Sequence, residues 1–292
     1  MAATLTHTDL YSPFERKRIA RIVFSLFLLS LVWSFFSNTL LHQLCRPVIK
    51  YPYVDPTYWA MNWLRIPEMI TDNYLLAWIF DGLLISSCVL SLLFPDKRIF
   101  VWSLIILFFI YFITYNTYGV WHTGNKIGLL LIAIPFAVRD NKSFNYLWQG
   151  LRYFLLFSFS CAFLWKFFRF SWLYADEGIL IMKKNAAAYL YFKPNTWLAH
   201  LYEWFLQHPG LLQVLYIAGV VLEGVFIIGF FTRKEDRYLF ILSILLVLGF
   251  WFMAEAHFFE LLILNLTLIP PHFIRRYSHY TPSGLKTAGS SK

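Results

Sequence analysis

Residues 74–117 read YLLAWIFDGLLISSCVLSLLF, then PDKR, then IFVWSLIILFFIYFITYNT: two apolar runs of 21 and 19 residues around a polar tetrapeptide. Each run is close to the roughly 20 residues that an α-helix needs to cross the hydrocarbon of a bilayer. The tetrapeptide carries Lys97 and Arg98, the kind of short basic connection that stays on the cytoplasmic side of a membrane. These 44 residues predict a membrane hairpin.

Working outward, further apolar segments lie near 22–41, 127–138, 147–168, 211–231, 238–256 and 258–271. The expected fold is therefore all-α, a polytopic membrane helical bundle of about eight transmembrane helices. Two segments are short. The fourth ends at Pro135-Phe136-Ala137-Val138 and gains length if it begins as early as Tyr118. The eighth ends at Pro270-Pro271 and is alternatively a half-helix or an interfacial segment. Composition points the same way, with 59% hydrophobic residues, 21% aromatic and 14% charged, against roughly 25% charged in soluble domains. A soluble core of this size cannot hide 31 Phe, 12 Trp and 18 Tyr.

The formal charge of +9 is scattered at the ends of apolar runs and forms no basic face, which argues against nucleic acid as a partner. Three cysteines, Cys45, Cys88 and Cys161, make neither a disulfide framework nor a metal motif. The polar first twenty residues and the uncleaved apolar run behind them read as a retained first span.

Charge sets the expected orientation. With the N-terminus inside, Arg16-Lys17-Arg18 and Arg21, Lys97-Arg98, Arg139 and Lys142, Arg233-Lys234 and Arg237, and Arg275-Arg276 all fall on the cytoplasmic side. The division is a cytoplasmic segment 1–21, a bundle 22–271 with outer loops 42–73 and 169–210, and a cytoplasmic tail 272–292. The expected location is a bacterial inner membrane, N-in and C-in. Both outer loops are rich in tryptophan, and an amphipathic stretch runs from Trp197 to Phe205. They are expected to lie on the outer surface or to dock a partner membrane or periplasmic protein.

A charge within hydrocarbon costs at least about 2.5 kcal/mol on insertion scales, so each needs a reason. Asp81, Lys166, Glu223, Glu255 and Glu260 are such groups, with His122 and His257 at span ends. Counting from helix ends places all but Glu223 towards the outer leaflet; Glu223 falls about 18 Å below the outer end of its helix. Each has a plain alternative. Lys166 snorkels beside Arg169, His122 is interfacial, Glu255, His257 and Glu260 form a wet loop, and Asp81 and Glu223 hydrogen-bond between helices. A metal site is not the expected use of these residues.

Residues 153–172, YFLLFSFSCAFLWKFFRFSW, resemble the signature helix of the vitamin K-dependent gamma-carboxylase family, which includes the horizontally transferred transmembrane (HTTM) proteins. Residues 116–138, NTYGVWHTGNKIGLLLIAIPFAV, resemble that family's Asn/His turn, and residues 250–271 its late helix pair. A fainter likeness joins residues 223–233, EGVFIIGFFTR, to DoxX-type membrane proteins. The first resemblance implies that Lys166 is the base that deprotonates a reduced quinone, assisted by His122 and with His257 nearby. Asp81, Trp165, Trp172, Glu255 and Glu260 would line the substrate slot, and a quinone would be the cofactor or substrate. The family's carboxylases carry a large soluble domain after the helices. Its counterpart is not seen here, so carboxylation of a protein is not the expected reaction. Bulky Leu164-Trp165 also replaces the family's small pair before the lysine.

Two functions follow. One is a quinone- or lipid-directed oxidoreductase or lyase at the outer leaflet. The other is a non-catalytic subunit of a secretion, transport or respiratory complex.

Overall fold

The computed structural model describes residues 11–44, 59–118, 126–254 and 258–270, and among them every regular element is helical. Helix α1 (Pro13–Phe36) starts where Ser12 and Glu15 cap each other's backbone N–H groups and Pro13 supplies a preset first turn. Ile19, Val23, Phe24, Phe27 and Leu31 line its buried stripe. The chain then turns on Asn38, whose φ of 55° asparagine tolerates, into a 3-10 turn at Leu41–Gln43.

After two short helices, α2 (Trp59–Trp63) and α3 (Ile66–Asp72), comes the hairpin of α4 (Tyr74–Leu93) and α5 (Arg98–Tyr118). Asn73 caps α4 by accepting from the Leu76 N–H at 3.2 Å. The hydroxyls of Ser87 and Ser103 meet at 3.1 Å between the two helices, a polar contact of the kind that joins helices in lipid.

Helix α6 (Ile127–Ala137) is only about 16 Å long. It is nevertheless tied to both ends of α1, because a long side chain bridges the gap at each end. Lys126 meets Ser34 near the end of α1, and Arg16 near its start meets the carbonyl of Val138. Helix α7 (Asn141–Phe168) begins where Asp140 accepts from the Ser143 N–H at 2.7 Å, a bond that holds the Asp140 carboxyl below its usual range. Beside this start, burial pushes the Tyr11 phenol up, and its hydroxyl donates to the carbonyl of Ile269 at 2.6 Å.

Helices α8 (Glu177–Phe192) and α9 (Trp197–Leu206) precede α10 (Pro209–Val225), which continues as a 3-10 turn through Phe230. Helix α11 (Asp236–Ala254) follows, and a closing 3-10 helix (Phe259–Leu268) returns towards Tyr11. Among the described residues six helices are long and apolar enough to span a membrane: α1, α4, α5, α7, α10 with its continuation, and α11. The two segments that fall short are those whose sequences looked short, α6 and the closing 3-10 helix. The latter covers about 20 Å at 2.0 Å per residue.

One core joins α1, α4, α5, α6, α7 and the closing helix. The spanning helices turn Leu29, Trp33, Leu75, Ile79, Ile106 and Phe157 outward. An outer surface of this kind suits lipid rather than water, and the chain is an integral membrane protein in contact with the bilayer. Most of the region 169–210, expected as an outer loop, is helical. Met182, Ala186 and Tyr202 pack on Leu212, Phe252 and Met253, giving α8 and α9 a small core of their own. Gly178 allows that approach, since a Cβ there would stand 2.5 Å from the Leu212 carbonyl oxygen.

Candidate functional site

Helices α7 and α10 lie antiparallel. Phe159 stacks on Phe226 at 4.3 Å, and a Cβ on Gly224 would meet the Phe163 ring at 3.1 Å. One turn further along α7, Lys166 bonds to the carboxylate of Glu223. The Glu223 side chain is 1% exposed and that of Lys166 is 27% exposed. The ammonium also lies 5.4 Å from the centre of the Phe250 ring, and the second oxygen of Glu223 is buried with no hydrogen-bond partner among the described residues.

Counting from helix ends had set Glu223 apart from Lys166. The structure brings them together because the ends of α7 and α10 are not level. Helix α10 rises past the end of α7, so that the hydroxyl of Tyr216 meets that of Ser171 at 2.6 Å and Leu212 packs on α8. Glu223 lies about 10 Å below Tyr216, level with the last turn of α7.

Asp81 is engaged elsewhere. It accepts from the backbone N–H groups of Leu41 at 3.3 Å and His42 at 2.9 Å, and it lies 2.8 Å from His42 Nδ1. The His42 ring stacks on Trp78 at 3.8 Å. The carboxylate thus ties the turn after α1 to α4 and orients the imidazole through its Nδ1 edge. His42 was not singled out in the sequence, where it stands at the edge of the first apolar run and reads as the start of a loop.

Lys126 is a second such residue. It is buried at the start of α6 and donates to the hydroxyls of Ser34 and Tyr111, each at 2.8 Å, with the Tyr115 ring 4.6 Å away. Tyr111 in turn donates to the carbonyl of Thr39 at 3.0 Å. Its signal in the sequence is a lysine opening an apolar helix inside HTGNK, four residues after His122.

The remaining expected site residues divide. Trp165 is 66% exposed and lies under the Arg169 guanidinium at 5.2 Å, on the outer surface of α7. Trp172 stacks on Phe167 and donates to its carbonyl at 3.3 Å, folding back over the end of α7. His122, Glu255 and His257 lie outside the described residues, as does the side chain of Glu260. No three His, Cys, Asp or Glu side chains gather as a metal site among the described residues.

A further buried ion pair stands at the opposite end of α7. Arg152 donates to both oxygens of Asp236, at 2.8 and 2.6 Å, and to the carbonyls of Gly229 at 2.8 Å and Thr232 at 3.2 Å. Searches with the whole chain found no matching family model, no matching curated protein and no matching solved structure.

Proposed function

We propose that this protein is a gamma-carboxylase-like membrane enzyme that moves protons on a quinone-like, lipid-borne substrate, with Lys166 and Glu223 as its proton-handling pair. The observation that supports this most is an amine and a carboxylate in contact between two spanning helices, the lysine side chain partly accessible and one carboxylate oxygen without a hydrogen-bond partner among the described residues. Passing the ammonium proton to Glu223 removes both charges from a low-dielectric region and leaves a neutral amine. That amine takes the proton of a quinol hydroxyl, giving a quinolate and restoring the ammonium. Phe163, Phe250 and Tyr216 make the surroundings aromatic, which suits a ring substrate entering from lipid. The basic connections support an N-in, C-in orientation with eight crossings, α6 and the closing 3-10 helix included. Reporter fusions at Lys97, Arg139 and Lys234 should then read as cytoplasmic, and fusions near Asp55 and Lys193 as external. A cytoplasmic signal at Lys193 contradicts this.

A second reading, a non-catalytic subunit, is favoured by Asp81, whose oxygens are occupied by Leu41 and His42. On that reading the intramembrane charges join helices, and the aromatic outer segments dock a partner protein. Purification in mild detergent separates the two. Wild-type protein should carry a stoichiometric quinone, read by chromatography and mass spectrometry of its lipid extract. The K166M/E223Q double variant should fold and lose it. A double variant that retains the quinone, or a wild type that carries a stoichiometric protein partner and no quinone, favours the subunit.

A further inference from the structure

At the end of the bundle where α1 starts, a cavity of about 310 Å³ opens between three separate pieces of chain. These are the first turns of α1, the turn between α4 and α5, and the turn between α6 and α7. Arg16, Lys17, Arg98 and Arg139 line it, with Asp96 the one acid and Phe136 on its apolar side. Its volume is at the lower end of the roughly 300–1,000 Å³ range of small-ligand sites.

The four cations are not equivalent. Arg16 is committed to the end of α6, donating to the carbonyl of Val138 at 2.6 Å, and Lys17 is paired with Asp96 at 2.8 Å. Arg98 and Arg139 are exposed, and neither has a carboxylate partner among the described residues. Basic residues at span ends follow from orientation alone, but that rule asks only that they reach water. It does not gather them from three segments around a walled space with an apolar side.

We propose that this cavity binds a phosphate group, with Arg98 and Arg139 as its principal donors. Arginine presents a planar fork that matches phosphate oxygens, and unpaired guanidinium groups beside an apolar wall suit an anion attached to a greasy body. The cavity lies at the ends of α1, α5, α6 and α7, the level at which headgroups meet a bundle. The shared chemistry is a phosphate oxyanion, carried by a lipid headgroup or by a free phosphate compound.

Native mass spectrometry of the full chain in mild detergent tests this, with phosphatidylglycerol or phosphatidylcholine added in separate arms. Thermal melting with inorganic phosphate forms a third arm. R98Q/R139Q is compared with K142Q/K234Q, which removes two exposed charges from the same end without touching the cavity wall. The expected result is a retained phosphatidylglycerol whose occupancy falls on the order of tenfold in R98Q/R139Q and stays in K142Q/K234Q. All variants should melt alike without ligand. A melting rise with phosphate, lost in R98Q/R139Q and without retained lipid, assigns the site to a free phosphate compound. No ligand effect in any arm, or an equal loss in both double variants, overturns the proposal.

Discussion

Arg152 and Lys166 stand on one helix, fourteen residues and about 21 Å apart, and each meets a carboxylate from another segment. The Arg152 guanidinium spends a fork on Asp236 and another donor on two carbonyls, which closes the corner between the 3-10 turn after α10 and the start of α11. Lys166 makes one bond to Glu223, keeps part of its side chain accessible, and leaves an oxygen of its partner without a donor among the described residues. Opposite charges in a membrane therefore serve two ends. A saturated pair fixes geometry and has no proton to exchange, whereas an under-coordinated pair holds helices less tightly and retains chemical freedom.

The contrast fails first at Arg152. Arg152→Leu strands a buried Asp236 and should cost roughly 3–5 kcal/mol, read as a large loss of melting temperature in detergent. Arg152→Lys should recover little of it, since one ammonium cannot replace the fork. Lys166→Met comes next, at about 1–3 kcal/mol, because part of the lysine is accessible and its loss is discounted for screening. If Lys166→Met proves the more damaging change, the two pairs have been ranked the wrong way round.

Within the second pair the two halves should also differ. Lys166→Met leaves a fully buried carboxylate, while Glu223→Gln leaves an ammonium that can turn towards the surface. Glu223→Gln should therefore cost less, by about 1 kcal/mol, and the double variant should cost less than Lys166→Met alone. Equal costs for the two single changes would mean that Lys166 is as confined as its partner. The smallest expected effect is at Trp165, which points away from the pair. Trp165→Leu should leave both the melting temperature and the co-purifying quinone within error of wild type.

Much of this architecture is legible in the sequence. Residues 74–117 announce α4 and α5, and the apolar runs locate α1, α7, α10 and α11 to within a turn or so at most ends. Helix α8 was hidden because Lys183, Lys184 and Asn185 interrupt its apolar pattern, which resolves only when one face packs on α10 and α11. The pairs were harder. Arg152 sits towards the basic end of its run and reads as a boundary residue until Asp236, 84 positions later, arrives beside it. Helix counting misplaces Glu223 relative to Lys166 because it assumes level ends, and α7 stops about three turns short of the start of α10. Asp81 was visible as an intruder, but its partners include two backbone N–H groups that no side-chain pattern reveals.

The contact between Arg16 and the end of α6 also bears on how the chain is made. Helix α6 is half the thickness of the hydrocarbon, contains Pro135, and ends in carbonyls that no later turn of its own satisfies. A segment like that is a poor candidate to leave the translocon alone. The side chain that reaches the carbonyls of Pro135, Phe136 and Val138 was translated about 120 residues earlier, on a helix that is long enough to enter the bilayer unaided. At roughly 5–20 residues per second, α1 waits on the order of ten seconds for its client. The first helix is then in place, with its Arg16 donor ready, before the sixth is made.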